Sequence, residues 1–292
     1  MRGKLSSPVR ERKATAVLSV THGWWCLLFI QVIMPELPEV EAAARFLDAQ
    51  ITGRTLRAVH WLHAAMQRDS AARVRTLIGR RVAHVVRVAK WQEVQFDDGA
   101  AMVVHFRMTG DWAVSVRPAA PTYARAHFVF SGGRHLWLVD PRVLARVEMR
   151  EAGVSSSARV GPDALDPALD ARTLRARFAT RRAPIKQVLL DQSVIAGIGN
   201  IYAAEALWKA RIHPGTPAQQ LTLARVDRIL DGVRWTMGLA FEAMGRHQYG
   251  TATDRFSVYD REGEPCQRCA APIARMTQGQ RSTYWCRRCQ RG

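Results

Sequence analysis

The chain has 292 residues, of which 48% are hydrophobic and 23% are charged. This composition is typical of a folded protein large enough for two domains, and it excludes a disordered or fibrous chain. Lysine and arginine number 43 against 25 aspartate and glutamate residues, which gives a formal charge of +18. So large a positive excess favours a polyanionic partner such as nucleic acid.

Residues 1–33 differ in character from the rest of the chain. They hold five cationic residues and one acidic residue and show no sustained helical or strand periodicity. Their apolar part, residues 24–33, is too short to span a bilayer. A basic stretch before an apolar one imitates a secretion signal, but no small-residue cleavage site follows it. We therefore expect residues 1–33 to be a non-native or disordered extension and expect no membrane association, with secretion as the alternative.

Residues 34–150 are predicted to form an N-terminal domain with one helix and extensive β-structure. Between Val40 and Ile51 apolar residues recur at helical spacing, and Gly53 ends the run. The periodicity then changes to two in short segments rich in Val, Phe and Trp, with Asp-Gly and Gly-Gly turns between neighbours. These segments predict an antiparallel β-sandwich or barrel. The predicted strands are residues 81–88, 92–96, 101–106, 112–116, 127–130 and 135–139.

The second half of the sequence is predicted to be helical. Residues 151–172 are rich in Ser, Gly, Asp and Pro and predict a linker between domains. In residues 173–250 apolar side chains recur three and four apart, which is typical of amphipathic helices. Residues 255–292 return to short β-like stretches around the cysteines. The predicted helices are residues 173–178, 185–192, 200–211 and 222–244.

Four of the five cysteines lie within the last 27 residues. Cys266 with Cys269 and Cys286 with Cys289 form two Cys-x-x-Cys pairs, a pattern typical of a structural zinc ribbon or hairpin. Four thiolates complete a tetrahedral shell and leave no position for water, so we predict one structural Zn²⁺ and no catalytic metal. A pair of disulfides is the alternative. Residues 266–292 also hold six arginines and no acid, which suits contact with phosphate.

Three motifs, in this order, resemble the formamidopyrimidine-DNA glycosylase/endonuclease VIII family. They are Pro-Glu-Leu-Pro-Glu-Val after Met34, Gly-Asn-Ile-Tyr-Ala-x-Glu at 199–205, and Gly-Glu-Pro-Cys with Gln-Arg-Ser-Thr-Tyr-Trp-Cys around the predicted metal site. On spacing alone, the first motif indicates only a helix entry with acids at its positive end. The resemblance covers the chain from Met34 onward. It implies an α+β multidomain fold: an N-terminal β-sandwich with an N-terminal helix, then a helix–two-turn–helix domain with a C-terminal zinc-finger hairpin, with DNA in the cleft between.

The resemblance also implies a bifunctional DNA glycosylase/AP lyase of base excision repair, with Pro35, Glu36 and Lys90 as catalytic residues. A proline at the start of a chain is a secondary amine, which can attack C1′ of a damaged nucleoside and form an iminium. The base is released as the iminium forms, and the iminium acidifies the C2′ proton, so that β,δ-elimination cuts the strand. Pro35 can act only if its nitrogen is free, which requires synthesis to start at Met34 and this Met to be removed. Glu36 matches the family's general acid, and Lys90 matches a hairpin lysine that holds phosphates near the lesion.

Four positions in the second half match residues that the family uses to bind the DNA backbone. Asn200 follows Gly-Ile-Gly at a predicted helix start, where it can bind phosphate or cap the helix. Arg281 matches a finger arginine that grips the phosphates beside the lesion. Lys186 and Tyr202 are expected to add further backbone contacts.

Base extrusion from duplex DNA requires residues that fill the gap. Met108 and Arg142 match two such residues of the family, although core packing and a surface charge are their alternative interpretations. Family members commonly read Asp-Pro-Arg-Arg-Phe-Gly, whereas this chain has Val143 and Leu144 after Arg142. Two aliphatic side chains thus replace a phosphate-binding arginine and a stacking aromatic. Residues 245–250 also look shorter than the family loop that covers oxidised guanine.

Three functions follow from the resemblance. The Pro-Glu-Leu-Pro-Glu-Val spelling favours excision of oxidised purines, namely 8-oxoguanine and formamidopyrimidines. The alternatives are an endonuclease VIII-like glycosylase for oxidised pyrimidines and a non-catalytic damaged-DNA-binding protein. We expect a monomer that binds double-stranded damaged DNA in the bacterial cytoplasm and associates with the nucleoid.

Overall fold

The computed structural model describes residues 26–27, 35–66, 69–154, 160–245 and 256–292. The helices are α1 (Leu37–Ile51), α2 (Asp69–Ala72), α3 (Ala171–Phe178), α4 (Ile185–Leu190), α5 (Asn200–Ala210) and α6 (Leu223–Gly245). The strands are β1 (Cys26–Leu27), β2 (Leu56–Trp61), β3 (Val82–Val88), β4 (Trp91–Phe96), β5 (Ala101–His105), β6 (Asp111–Ser115), β7 (Ala124–Phe130), β8 (Arg134–Val139), β9 (Arg146–Arg150), β10 (Ile273–Gln278) and β11 (Arg281–Cys286). Within these ranges, no helix is both long enough and apolar enough to cross a membrane.

The first half of the chain is a two-layer β-sandwich. Its sheets have the strand orders β1-β6-β8-β7-β2 and β3-β4-β5-β9, and every neighbouring pair is antiparallel. Alternate side chains of each strand point between the sheets, and Phe106, Trp112 and Phe128 fill this core with edge-to-face contacts. Two separate sheets exclude the barrel alternative and confirm the predicted sandwich.

Each of the six predicted strands coincides with an observed strand, whereas β1, β2 and β9 were not predicted. β2 has a bulge between Leu56 and Ala58, which shifts the alternation of buried positions. β9 reads Arg-Val-Glu-Met-Arg and has one fully buried side chain, so its apolar signal is weak. Cys26 and Leu27 pair with Val114 and Ala113 of β6. The other residues of the predicted extension, 1–25 and 28–33, lie outside the described residues.

The second half packs around α5. Every residue of α5 except Lys209 is buried, because α4, α6 and the finger surround it. The part of the predicted linker from residue 160 onward contains no helix or strand before α3, but it is packed. Ala164 and Leu169 belong to the helical core, and Asp163 forms a parallel bridge with Ala196.

Helix α1 contributes to both cores. Leu37 at its start packs within the helical core, while Leu47 and Ile51 pack within the sandwich core. Gly197 makes this junction possible, since a Cβ there would lie 2.1 Å from Cδ1 of Leu37. The start of α1, with Pro35 and Glu36 before it, therefore lies where the sandwich and the helical domain meet.

The C-terminal hairpin pairs β10 with β11 through a tight turn at Gly279 and Gln280. Both turn residues have positive φ, 52° and 62°, the geometry that favours a two-residue hairpin. The hairpin packs against α5. The α+β fold with an N-terminal helix and sandwich, a helical domain and a zinc-finger hairpin confirms the predicted fold class.

Candidate active site

Glu36 lies at the junction of the two domains and is 1% exposed. Its carboxylate accepts hydrogen bonds from the backbone N–H groups of Ile201 (2.9 Å) and Tyr202 (3.3 Å) at the start of α5. Its own N–H donates to Glu39 at 3.1 Å. Burial raises the pKa of Glu36, although Lys90 and the two N–H groups oppose this shift. A buried acid with a raised pKa keeps its proton to a higher pH than an exposed glutamate does, which suits a proton donor.

Gly199 makes room for the Glu36 carboxyl group. A Cβ at Gly199 would lie 2.2 Å from its carboxyl carbon and 2.4 and 2.6 Å from its oxygens. We expect Gly199→Ala to displace the carboxyl group and to lower the single-turnover rate by about 10²-fold, since a shift of ~1 Å has effects of this size. The control is Gly238→Ala in α6, where a Cβ would meet nothing within 4 Å. Equal rates for the two variants would contradict the tight packing at Gly199.

Lys90 faces Glu36 from the turn between β3 and β4. Its Nζ donates to the carbonyl oxygen of Ile198 at 2.8 Å, so it reaches across the domain junction. Ala89 before it has a φ of 55°, an uncommon conformation for a residue with a side chain. Burial lowers the pKa of Lys90, Arg281 lowers it further, and Glu36 opposes the shift. The Lys90 ammonium and the Glu36 carboxyl group are thus held together at the buried domain junction.

An open cavity of roughly 1230 Å³ lies between the domains. This volume exceeds the roughly 300–1,000 Å³ of small-ligand sites, so a nucleotide can enter. The exposed side chain of Arg281, directly after the finger turn, contributes to the wall. The predicted site residues that line the cavity are Pro35, Glu36, Lys90, Met108, Asn200 and Arg281.

Met108 and Arg142 lie together at the rim. Met108 is 39% exposed, and Nη1 of Arg142 donates to its sulfur at 3.4 Å. The buried carboxylate of Asp140 accepts from the backbone N–H of Arg142 and Leu144 and from the hydroxyl of Thr109. One acid therefore organises both loops that carry the expected gap-filling residues.

Val143 and Leu144, the two departures from the family pattern, also line the cavity. Val143 has a φ of 55°, which is an outlier for a β-branched residue. Leu144 is 38% exposed, so its side chain is available to a ligand. The loop at residues 245–250, predicted to be shorter than its counterpart in the family, lies outside the described residues from 246 onward.

Lys186 and Tyr202, two of the predicted DNA contacts, are buried in the structure. Lys186 is 1% exposed, and all three N–H donors of its ammonium group form hydrogen bonds within the protein. Their acceptors are Asn200 Oδ1 (2.6 Å), Ser282 O (3.0 Å) and Thr283 Oγ1 (2.7 Å). Tyr202 is also 1% exposed. Contact of these two side chains with a DNA backbone stays a prediction.

Tyr202 and Asn200 instead support neighbouring parts of the site. The Tyr202 hydroxyl donates to Glu39 at 2.6 Å, in the same segment as Glu36. The Asn200 side chain accepts from Lys186 and donates to Ser282 O at 3.1 Å, although Asn200 still lines the cavity. The N–H groups expected to bind phosphate at this helix start are taken by the Glu36 carboxylate.

Residues that sequence reasoning missed also line the cavity. His105 lies on β5, and burial together with three nearby cations lowers its pKa to about 4, so it is neutral at pH 7. Tyr259 is held by Glu205, whose carboxylate accepts from the N–H groups of Ser257, Val258 and Tyr259 at 2.8–2.9 Å. An acid within the mostly apolar sequence of α5 was the available signal for Glu205.

The four C-terminal cysteines form a metal site. Their sulfur atoms all lie within 4.8 Å of one another, with 3.9 Å between Cys266 and Cys289 and 3.5 Å between Cys269 and Cys286. Tetrahedral zinc with bonds of about 2.3 Å requires sulfur separations of about 3.8 Å. The cysteine geometry therefore fits one structural zinc, as the spacing predicted, and the zinc fixes the hairpin that carries Arg281.

Comparisons with known proteins agree with this geometry. Three family models match: the formamidopyrimidine-DNA glycosylase N-terminal domain (residues 34–147), the formamidopyrimidine-DNA glycosylase H2TH domain (160–250) and the zinc finger found in FPG and IleRS (263–292). The formamidopyrimidine-DNA glycosylase of Chloroflexus aurantiacus is 40% identical over 272 residues, which cover 88% of this chain and 98% of that protein. The enzyme of the same name from Bordetella parapertussis is 38% identical, with 88% and 100% covered.

Solved structures show the same relationship. MutM (Fpg) from Thermus thermophilus superposes with a TM-score of 0.77 at 34% identity, covering 88% of this chain and 98% of that one. Lactococcus lactis Fpg bound to DNA with an AP site superposes with a TM-score of 0.79 at 25% identity, covering 88% and 100%. The fold and the site define a DNA glycosylase of base excision repair. Within that class, the chain belongs to the formamidopyrimidine-DNA glycosylase family.

Proposed function

We propose that the protein is a bifunctional glycosylase/AP lyase that excises oxidised purines through a Schiff base on Pro35. The observation that carries this proposal is the position of Pro35, which lines the interdomain cavity directly before Glu36 and together with Lys90. A secondary amine, a buried acid and a cation are the groups that such a reaction needs in one place.

The reaction follows from these groups. The Pro35 nitrogen attacks C1′ of the damaged nucleoside, the bond from C1′ to the base breaks, and the base leaves with the proton that the Pro35 nitrogen loses. Glu36 donates a proton to the sugar ring oxygen, which opens the ring and leaves an iminium between Pro35 and C1′. Loss of the C2′ proton then expels the 3′-phosphate by β-elimination, and a second elimination expels the 5′-phosphate. Hydrolysis of the remaining iminium returns the free amine.

The cavity wall supports separate roles for the DNA-binding residues. Lys90 and Arg281 place positive charge where the phosphates beside an extruded nucleotide would lie. Met108 and Arg142 lie together at the rim, where they would fill the gap in the duplex. Asn200 would contribute to the wall between these two groups. We propose a monomer that acts in the bacterial cytoplasm, at the nucleoid.

Related structures favour oxidised purines. MutM has been solved with DNA that contains carbocyclic 8-oxo-G, and the Lactococcus lactis enzyme with DNA that contains Fapy-dG. The exposed aliphatic side chain of Leu144 keeps oxidised pyrimidines as the second candidate, because the family's stacking aromatic is missing there. Excision rates on matched duplexes with 8-oxoguanine or an oxidised pyrimidine distinguish the two.

Borohydride trapping tests the proline mechanism. Protein that begins at Pro35 is expected to become covalently linked to an abasic-site duplex. The full 292-residue chain is expected not to be linked, because its Pro35 nitrogen is an amide. Trapping of both proteins in equal yield would overturn the role of Pro35. Trapping of neither, with both folded and bound to the duplex, would favour a non-catalytic damaged-DNA-binding protein.

A further inference from the structure

Arg87, near the end of β3, donates hydrogen bonds to three separate parts of the molecule. Its Nε donates to Glu41 at 2.7 Å, and Nη1 and Nη2 donate to the two carboxylate oxygens of Asp163 at 2.6 and 3.0 Å. Nη1 also donates to the carbonyl oxygen of Ala89 at 3.0 Å. The side chain is 8% exposed. A planar guanidinium can satisfy these directions together, whereas an ammonium cannot.

Each partner of Arg87 belongs to a segment that carries or contacts an active-site residue. Glu41 lies on α1, the helix that begins directly after Glu36. Ala89 immediately precedes Lys90 and holds the uncommon positive φ of that turn. Asp163 belongs to a segment that is hydrogen-bonded on both sides to Ala196, through Ala196 N to Pro162 O (2.8 Å) and Ala164 N to Ala196 O (3.0 Å).

These contacts close a ring around the domain junction. Two residues beyond Ala196, the carbonyl oxygen of Ile198 accepts the hydrogen bond from Lys90. The turn that carries Lys90 and the segment that receives it are therefore both fastened to Arg87. Removal of the guanidinium would release the turn and leave two carboxylates, Glu41 and Asp163, without their shared cation.

We propose that Arg87 is a positioning residue, which holds the Lys90 ammonium against Ile198 and beside Glu36 across the domain junction. The expected effect of Arg87 on the reaction rate rests on the catalytic role of Lys90 proposed above. The placement of Lys90 itself is measured separately. Arg150 offers a matched comparison, because it makes a similar two-oxygen pair with Glu93 (2.7 and 2.6 Å) within one sheet of the sandwich.

Nuclear magnetic resonance of ¹³C-methylated lysines in the full chain tests the placement. Five lysines give few signals, and Lys209 serves as an internal reference. Lys90 is surrounded by Glu36, Glu39 and Arg281, and burial lowers its pKa. In Arg87→Lys and Arg87→Met the pKa of Lys90 is expected to rise toward its ordinary value as the side chain becomes solvated. Arg150→Lys is expected to leave the Lys90 signal in place.

Kinetics of the active form on abasic-site DNA complete the test. Arg87→Lys is expected to lower kcat about 10- to 100-fold with a smaller rise in KM, because the Lys90 ammonium is misplaced while Arg281 and the rest of the DNA-binding surface remain. Should Arg87 variants fail to fold, Asp163→Asn keeps Arg87 and is expected to shift Lys90 in the same direction. Unchanged Lys90 signals in folded Arg87→Lys or in Asp163→Asn would overturn the proposal. A moved Lys90 with unchanged kcat would uphold the positioning and instead refute the catalytic role of Lys90.

Discussion

Glu36→Gln is expected to lower the rate of base excision by about 10²- to 10⁴-fold, the usual contribution of a positioned general acid. Glutamine has the same shape and can still accept one hydrogen bond from the start of α5, so the loss reports the missing proton. Excision under single-turnover conditions, with the protein in excess over a lesion-containing duplex, is the measurement. A matched control is Glu264→Gln in the finger loop, whose acid pairs with Arg261.

The pH dependence of the same variant provides a second readout. The folded state binds the Glu36 proton more tightly than the unfolded state, because burial raises its pKa. The parent protein therefore loses free energy of unfolding as the pH rises from the ordinary glutamate pKa to the raised one. Glu36→Gln lacks this loss, so its stability relative to the parent is expected to increase across that window. Urea unfolding at several pH values measures the difference, and a constant difference would contradict the raised pKa.

Loss of zinc is expected to weaken DNA binding at least tenfold. Structural zinc contributes about 10–16 kcal/mol to the folding of small finger peptides, and the Cys266→Ser variant removes one of its four ligands. The hairpin then no longer holds Arg281 in the cavity wall or accepts the hydrogen bonds of Lys186. We expect at least a tenfold lower affinity for an abasic-site duplex, roughly the effect of losing 1.4 kcal/mol of binding free energy.

Circular dichroism and binding measurements separate finger loss from general unfolding. The β-sandwich signal is expected to persist in Cys266→Ser, because its core contains no finger residue. Cys26→Ser, the one cysteine outside the quartet, is the control and is expected to bind zinc and DNA as the parent does. Full affinity after complete zinc removal would contradict the role assigned to Arg281.

Local patterns were sufficient for the zinc site and for most elements. Cysteine spacing identifies a metal site because four thiolates at these separations have one favoured partner. Segments with alternating apolar residues predicted six strands. β2 and β9 were not predicted, because a bulge in β2 and the charged sequence of β9 weaken the alternation. Pro35 and Glu36 show on spacing alone only a helix entry, so their chemistry came from the family resemblance.

The periodicity of the sequence did not show in which direction individual side chains point. Lys186 and Tyr202 lie close to the site in sequence and space, yet both point into the protein. Tyr202 lies on α5, where every residue except Lys209 is buried, so no helical period distinguishes an inward residue there from one that faces DNA. The network around Arg87 joins Lys90 to Ile198. These two residues are 108 positions apart in the sequence, so no local pattern contains both.

The sharing of α1 between two cores limits how the molecule can be divided. A cut in residues 155–159 would separate two fragments, with Leu37 in one and its packing partners in the other. The first fragment would expose an apolar helix end to water, and the second would have an open pocket. We therefore expect neither half to be a self-sufficient module, and the pair to regain activity only by reassembly.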